Sequence, residues 1–270
     1  MKKLTVLIAG LIFLIPSLSF ADMLTLRLGY YMPKAFDSTY LASHPDSLFA
    51  IELNQMSFPA SDFRGSILGG GYEFFLNRYV SFAISVDTFT KENGGYYRDW
   101  VGYTLDTTDL QGDYAFRYST AYPGDWEIRH SFHVSMTPVQ FSLKFTPLGR
   151  KTRIIPYVGG GVGAYFLNAR ISGEMADFSS GVLINDSNHP ELGDFYIYPV
   201  DFVNAHETRL VLGEHLFAGL MVPIGYRLTL EAEARYHFAK ADFRTAFPAI
   251  DYGPIDLSGV SISIGINYWF

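Results

Sequence analysis

Leu257–Phe270 reads LSGVSISIGINYWF. From Val260 onward the segment alternates without exception. Val260, Ile262, Ile264, Ile266, Tyr268 and Phe270 point one way, and Ser261, Ser263, Gly265, Asn267 and Trp269 point the other. Successive side chains of a strand take opposite faces, so this is a strand with one greasy face and one small, polar face. Such a strand needs an apolar medium on one side and a tight, polar space on the other.

Composition narrows what that medium is. Hydrophobic residues make up 49% of the 270 and aromatics 17%, too greasy for a disordered chain. The longest apolar run is at the start, where MKKLTVLIAGLIFLIPSLSFA reads as a basic stretch (Lys2, Lys3), a run from Leu4 to Ile15 that Pro16 ends, and the small-x-small triplet Ser19-Phe20-Ala21. That is the pattern of a secretory signal peptide over 1–21, with cleavage expected after Ala21 and a mature domain over 22–270. No later run has the length of a membrane helix. Apolar content spread as alternation instead of as runs is the signature of a transmembrane β-barrel. With no Cys there is no disulfide and no thiolate metal site. The formal charge of −7, or −9 once Lys2 and Lys3 leave, argues against nucleic-acid binding.

The rest of the chain repeats the alternation. Met23–Tyr31 places Leu24, Leu26, Leu28 and Tyr30 on one face and Arg27 on the other. Residues 32–62 read as a long loop in which Phe49, Ile51 and Leu53 are spaced as a strand. A hairpin follows: Leu68, Gly70, Tyr72, Phe74 and Leu76 alternate with Gly69, Gly71, Glu73 and Phe75, and after the Asn77-Arg78 turn Val80–Val86 alternates with Ser81, Ala83, Ser85 and Asp87. A second long loop spans Lys91–Arg129, with a strand-like Tyr114, Phe116, Tyr118 inside it. In Ser131–Phe145 the apolar phase is even at Phe132, Val134 and Met136 and odd from Val139, so a bulge is expected at Thr137-Pro138. In Ile155–Leu167, Tyr157 and Tyr165 share a face. At about 3.3 Å per residue and a tilt near 40° their rings lie about 20 Å apart, the separation of two lipid-facing aromatic girdles. The third loop, Ile171–Glu207, holds seven acids and no Lys or Arg. Leu210–Val222 is the sixth strand, with Glu214 on its more apolar phase, and Leu228–Phe238 alternates with Thr229, Glu231, Glu233, Arg235 and His237. A last loop, Ala239–Asp256, leads to the final strand. The reading is an all-β, closed antiparallel barrel of eight strands with short periplasmic turns and long extracellular loops, or ten strands if a loop segment pairs within the bilayer.

Arg27, Glu73, Asp87, Glu231, Glu233, Arg235 and His237 then all face the lumen. An eight-stranded barrel has an interior that side chains just fill, so these charges are expected to pair, as a structural network or as a gate. The glycine clusters 69–71 and 159–161 precede no Gly-Lys-Ser/Thr and no helix, so they are strand glycines and not phosphate loops. The acidic third loop matches no calcium-loop spacing. No cofactor and no metal is expected.

The segments Leu26-Arg27-Leu28-Gly29-Tyr30 with Pro33, Thr137-Pro138-Val139 through Phe145, Pro156–Gly163, Glu233-Ala234-Arg235-Tyr236 and Tyr268-Trp269-Phe270 resemble the strands of the small OmpW/OmpA-like outer-membrane barrels. Ser263, Gly265, Tyr268 and Phe270 resemble the C-terminal signal read by the barrel-assembly machinery, so that machinery is an expected partner during insertion, beside outer-membrane lipid and lipopolysaccharide. The OmpW-like side of the resemblance implies passage of small hydrophobic molecules, and the OmpA-like side a barrel that anchors or adheres through its loops. A third reading comes from His133 and Ser135, a His-x-Ser pair that resembles the outer-membrane lipid A deacylases; no acidic third member can be placed from the sequence. The leading expectation is a non-enzymatic, OmpW-like barrel. A plugged lumen would turn it to the second reading.

Overall fold

The computed structural model describes residues 22–45, 53–106, 110–120, 122–185, 190, 193–243 and 255–270. Thirteen strands are present among them: β1 (Asp22–Pro33), β2 (Gly65–Phe75), β3 (Val80–Tyr96), β4 (Trp100–Asp106), β5 (Gln111–Arg117), β6 (Arg129–Phe145), β7 (Ile155–Ala176), β8 (Val182–Asn185), β9 (Asp194–Pro223), β10 (Leu228–Phe238), β11 (Lys240–Ala241), β12 (Ile255–Asp256) and β13 (Gly259–Trp269). Eight of them pair in the order β10-β13-β1-β2-β3-β6-β7-β9, and β9 pairs back onto β10. All these pairings are antiparallel, so the sheet closes on itself.

Closure fixes the dimensions. Stepping across paired residues from Met23 leads through Glu73, Ala83, Ser142, Gly161, His215, His237 and Gly259 back to β1 at Pro33, ten residues beyond the start. Eight strands with that stagger tilt by about 40° and enclose a cylinder of about 8 Å backbone radius. One end carries short connections, Leu76–Tyr79, Thr146–Ile154 and Ile224–Arg227, and the other carries all the long ones. Short turns are periplasmic in barrels of this kind, which orients the molecule.

Outside, Leu26, Leu68, Leu143, Val158, Leu220 and Ile264 are all exposed, part of an apolar belt around the wall. Inside, the same strands present small and charged residues. Backbone hydrogen bonds all run strand to strand within a closed ring, which is what hydrocarbon demands. The expected transmembrane barrel of eight strands is therefore the observed one.

Several strands run far beyond the bilayer. A tilted strand crosses in 9–11 residues, whereas β7 has 22 residues and β9 has 30. The segment expected to be an acidic loop, 171–207, is largely the upper part of these two strands together with β8, which pairs β9. The second long loop likewise contains β4 and β5; β5 includes Tyr114 and Phe116 and pairs both β4 and β9. These extensions build a structured extracellular head, with its own small core of Val101, Tyr103, Leu105, Phe116 and Ile197. Leu53 is buried in a helical turn at 53–55 and not in a strand; Phe49 and Ile51, the 1–21 segment and 244–254 of the last loop lie outside the described residues.

The bulge at Thr137-Pro138 is not there. β6 keeps one register against β7 from His130 to Phe145, and one against β3 on both sides of Pro138. Phe132, Val134 and Met136 point inward, on the same face as Gln140, Ser142 and Lys144. What inverts is the medium. Below Pro138 lipid lies outside and polar groups inside; above it water lies outside and an apolar core inside. β3 inverts at the same level, with Val86 outward and Phe89 buried inward. From Phe145 to Pro138 is about 18 Å along the axis at about 3.3 Å per residue and the tilt above, most of the height of a barrel's apolar band, about 25 Å.

Candidate functional site

The lumen is where the charged residues meet. Arg27, Glu73, Asp87, Glu231, Glu233, Arg235 and His237 all lie inside the ring, at most 10% exposed. They form two adjoining groups. Arg27 Nη2 sits 2.7 Å from Asp87 Oδ2 and its Nη1 3.5 Å from Glu233 Oε1. Arg235 bridges the same two acids, 2.8 Å from Glu233 and 3.7 Å from Asp87. Below them Lys144 Nζ lies 2.9 Å from Glu73 and 3.7 Å from Glu231. Arg150 reaches in from the β6–β7 turn to 3.8 Å from Glu73. Four carboxylates thus face four cations, and every one of these groups has a counter-charge, the condition for burying charge at tolerable cost.

Neutral groups complete the packing. The Tyr157 hydroxyl donates to Glu231 and lies 3.0 Å from Glu233, with the Lys144 ammonium 3.8 Å above its ring. Gln140 links the charged layer to the one above. Its Oε1 accepts from Arg235, and its Nε2 donates to the Tyr165 hydroxyl at 2.9 Å and to His237 Nδ1 at 3.2 Å. With Nδ1 accepting, His237 Nε2 is the protonated nitrogen and donates to Ser261 Oγ at 3.1 Å. Ser142 and His215 form a further buried pair at 2.7 Å. Neither has an acidic hydrogen-bond partner among the described residues. The free space in the charged layer is about 30 Å³, far below the roughly 300–1,000 Å³ of a small-molecule site.

Apolar clusters pack at both ends of the charged layer. Met23, Ile155, Phe217 and Met221, with Phe75 and Trp269, close the periplasmic mouth. Tyr31, Phe89, Phe132, Met136, Tyr165 and Leu167 belong to the large apolar core that fills the upper barrel.

Tyr157 and Tyr165 are therefore not girdle residues. Both point inward and are fully buried. The physical reason is across the wall: a Cβ at Gly219 would stand 2.3 Å from the Tyr157 hydroxyl, and one at Gly213 2.8 Å from the Tyr165 ring, so glycines on β9 make the room the rings occupy. Glu73 meets Lys144 and Arg150, two cations outside the seven residues expected to form the network. Lys144 was legible in the sequence as the one cation between the outward Leu143 and Phe145. Arg150, on a turn, carried no periodic signal.

His133 and Ser135 face outward on the part of β6 above the bilayer. The acid absent from the sequence reading is present: Glu92 on β3 lies 3.6 Å from His133 Nδ1. The other ring nitrogen faces Thr90 Oγ1 at 3.4 Å, and Ser135 has no hydrogen bond to the imidazole. The nucleophile–base contact is not assembled. At the lower end of β13, Tyr268 and Phe270 are exposed toward lipid, while Gly265 is buried beside Arg27.

On the head, a cleft of about 590 Å³ opens between the 54–55 turn and the β4–β5–β9 sheet. Its walls carry both aromatic and charged side chains.

The architecture is that of a small outer-membrane barrel. No family model matches the chain, and no curated protein matches it. Among solved structures it is similar to the outer membrane protein OprG from Pseudomonas aeruginosa, at 11% identity over 93% of this chain and 96% of that one, with a TM-score of 0.45. It is similar to Neisserial surface protein A at 8% identity over 93% and 97%, TM-score 0.40. The N-terminal β-barrel domain of Pseudomonas aeruginosa OprF is similar at 12% identity over 92% and 97%, TM-score 0.37.

Proposed function

We propose that this is a non-enzymatic, plugged outer-membrane barrel that serves as a rigid post for an extracellular binding head. The observation that carries the reading is the lumen itself. A neutral lattice of four carboxylates and four cations lies beneath an apolar core, and the free space in the charged layer is about 30 Å³. A route for solutes has nowhere to run through such a column. The ladder between β3 and β6 shows paired residues on both sides of Pro138 but none at it, and there Thr88 and Thr137 close the seam with their hydroxyls 3.4 Å apart. The OmpW-like passage of small hydrophobic molecules accordingly finds less support than the anchoring reading. The lumen charges act as a structural network in this account and not as a gate.

The test is planar-bilayer recording of the purified barrel. Steady conductance is expected to be absent or very small, and Arg235→Ala, which removes a plug member, should raise it. Large, stable wild-type currents that the substitution leaves unchanged would overturn the reading.

A further inference from the structure

The head cleft combines two features that its neighbours in the structure do not use. Its walls include the side chains of Asn54, Gln55, Asp99, Trp100, Arg117 and Tyr198. Trp100 and Arg117 are register partners across β4 and β5, and the Trp100 and Tyr198 rings pack edge to face at 5.4 Å. Asn54, Gln55, Asp99 and Arg117 each bring a polar side-chain head to the cleft, and none of the four has a side-chain hydrogen bond or ion pair among the described residues. Gln55 Oε1 is buried as well as unpartnered. Several buried side-chain atoms among the described residues have no hydrogen-bond partner, and Gln55 Oε1 is the one of them at the wall of this cleft, where a ligand could supply the donor.

The backbone beneath these groups is held. Arg98 N donates to Gln55 O at 2.8 Å, the Arg98 guanidinium donates to Asn54 O, and Tyr118 N donates to Asp99 O at 2.8 Å. The cleft is thus preformed, and binding would cost little ordering of the protein.

We infer that this cleft binds a neutral glycan of one or two pyranose units. A pyranose presents an apolar C–H face, which suits an indole or phenol ring, and a rim of hydroxyls that both donate and accept. Two amides, a carboxylate and a guanidinium supply both kinds of partner. Asp99 and Arg117 cancel in charge, which disfavours a strongly anionic or cationic ligand. The volume falls in the range of small-molecule sites and accommodates a disaccharide. The inference rests on the head being the working part of the protein, and it names what that head recognises.

The experiment uses the full barrel in lipid nanodiscs, because a maltoside detergent would present sugar to the cleft. Lactose, maltose and cellobiose are titrated separately, followed by calorimetry and by tryptophan fluorescence, to which Trp100 contributes. At least one disaccharide should bind saturably. Asp99→Ala and Arg117→Ala should each weaken it by about tenfold or more, as loss of an anchoring polar contact does. Neither side chain holds the fold, so both variants should keep the wild-type heat-modified gel shift. Absence of binding by all three sugars, or binding that survives both substitutions, overturns the glycan assignment. In either case a closed lumen in bilayer recordings leaves the post-and-head reading standing, whereas an open pore removes that reading whatever the sugars do.

Discussion

Replacing Arg235 by Ala tests the lumen most directly, because its surroundings set the expected size of the effect. The guanidinium donates to Glu233 through Nε at 3.0 Å and lies 2.8 Å from the same carboxylate through Nη2. It also reaches Ser85 at 3.2 Å, Gln140, and Asp87 at 3.7 Å, with its planar group 4.8 Å from the Phe217 ring. Removing one member of a buried pair costs about 3–5 kcal/mol, since the remaining charge stays desolvated. Here Arg27 remains 2.7 Å from Asp87 and 3.5 Å from Glu233, so the lower end applies, about 3 kcal/mol. Equilibrium urea unfolding from lipid vesicles, read by tryptophan fluorescence, gives the number. Adding Glu233→Gln should then recover part of the loss, because the uncompensated carboxylate is what makes the single variant unstable. A coupling of about 1–2 kcal/mol is expected between the two sites. A loss below about 1 kcal/mol with no coupling would mean that the pairs sit in water, where they are worth little, and would refute the dry plug.

Two further substitutions probe the wall. Gly161→Ala would set a Cβ 1.9 Å from the Phe141 carbonyl oxygen, backbone that cannot step aside, and should lower stability by about 1–3 kcal/mol or block insertion, whereas Gly225→Ala, which meets nothing closer than 4.0 Å, should be neutral in the same unfolding assay. Glu214 points outward between Leu212 and Leu216 near the upper edge of the apolar belt. Glu214→Leu should therefore stabilise the barrel in vesicles by up to about 1 kcal/mol, and a destabilised variant would show that the carboxylate has a partner on that face.

The membrane-spanning part was legible because lipid and lumen impose opposite demands on alternate residues. The Leu228–Phe238 strand has the same limits in the structure as in the sequence pattern, and every charge on its inner phase reaches the lumen. Legibility failed where that rule changes. Above Pro138 the inner face is apolar, so Phe132, Val134 and Met136 read as a register slip when the strand is in fact continuous. Periodicity alone reports which face is greasy, not which face is inside. The same ambiguity misplaced Tyr157 and Tyr165, because a tyrosine suits a membrane interface and a polar lumen equally. The head was read as loops, since its strands β4, β5 and β8 are short, and β5 is tied to the rest of the sheet by a pairing with β9 that is distant in sequence. The cleft gathers residues from four separate segments, and no local pattern foretells such a meeting.

The inversion along the strands also bears on how the head is joined to the barrel. A barrel that stopped at the membrane surface would carry its loops as tethers. Here β6, β7 and β9 continue upward without a break in register. The column they enclose changes from paired charges to an apolar core that Trp100, Trp126 and Tyr198 of the head also pack against. The upper core is held by the hydrophobic effect in water, as in a soluble domain, and the lower lattice by neutralised charge out of water. Each part of the column thus uses the interaction that its surroundings favour. Because the strands are common to both, motion of the head relative to the wall would have to break ladders along with the core. A cleft mounted in this way would keep its geometry without a ligand, the preorganisation that the proposed glycan binding requires.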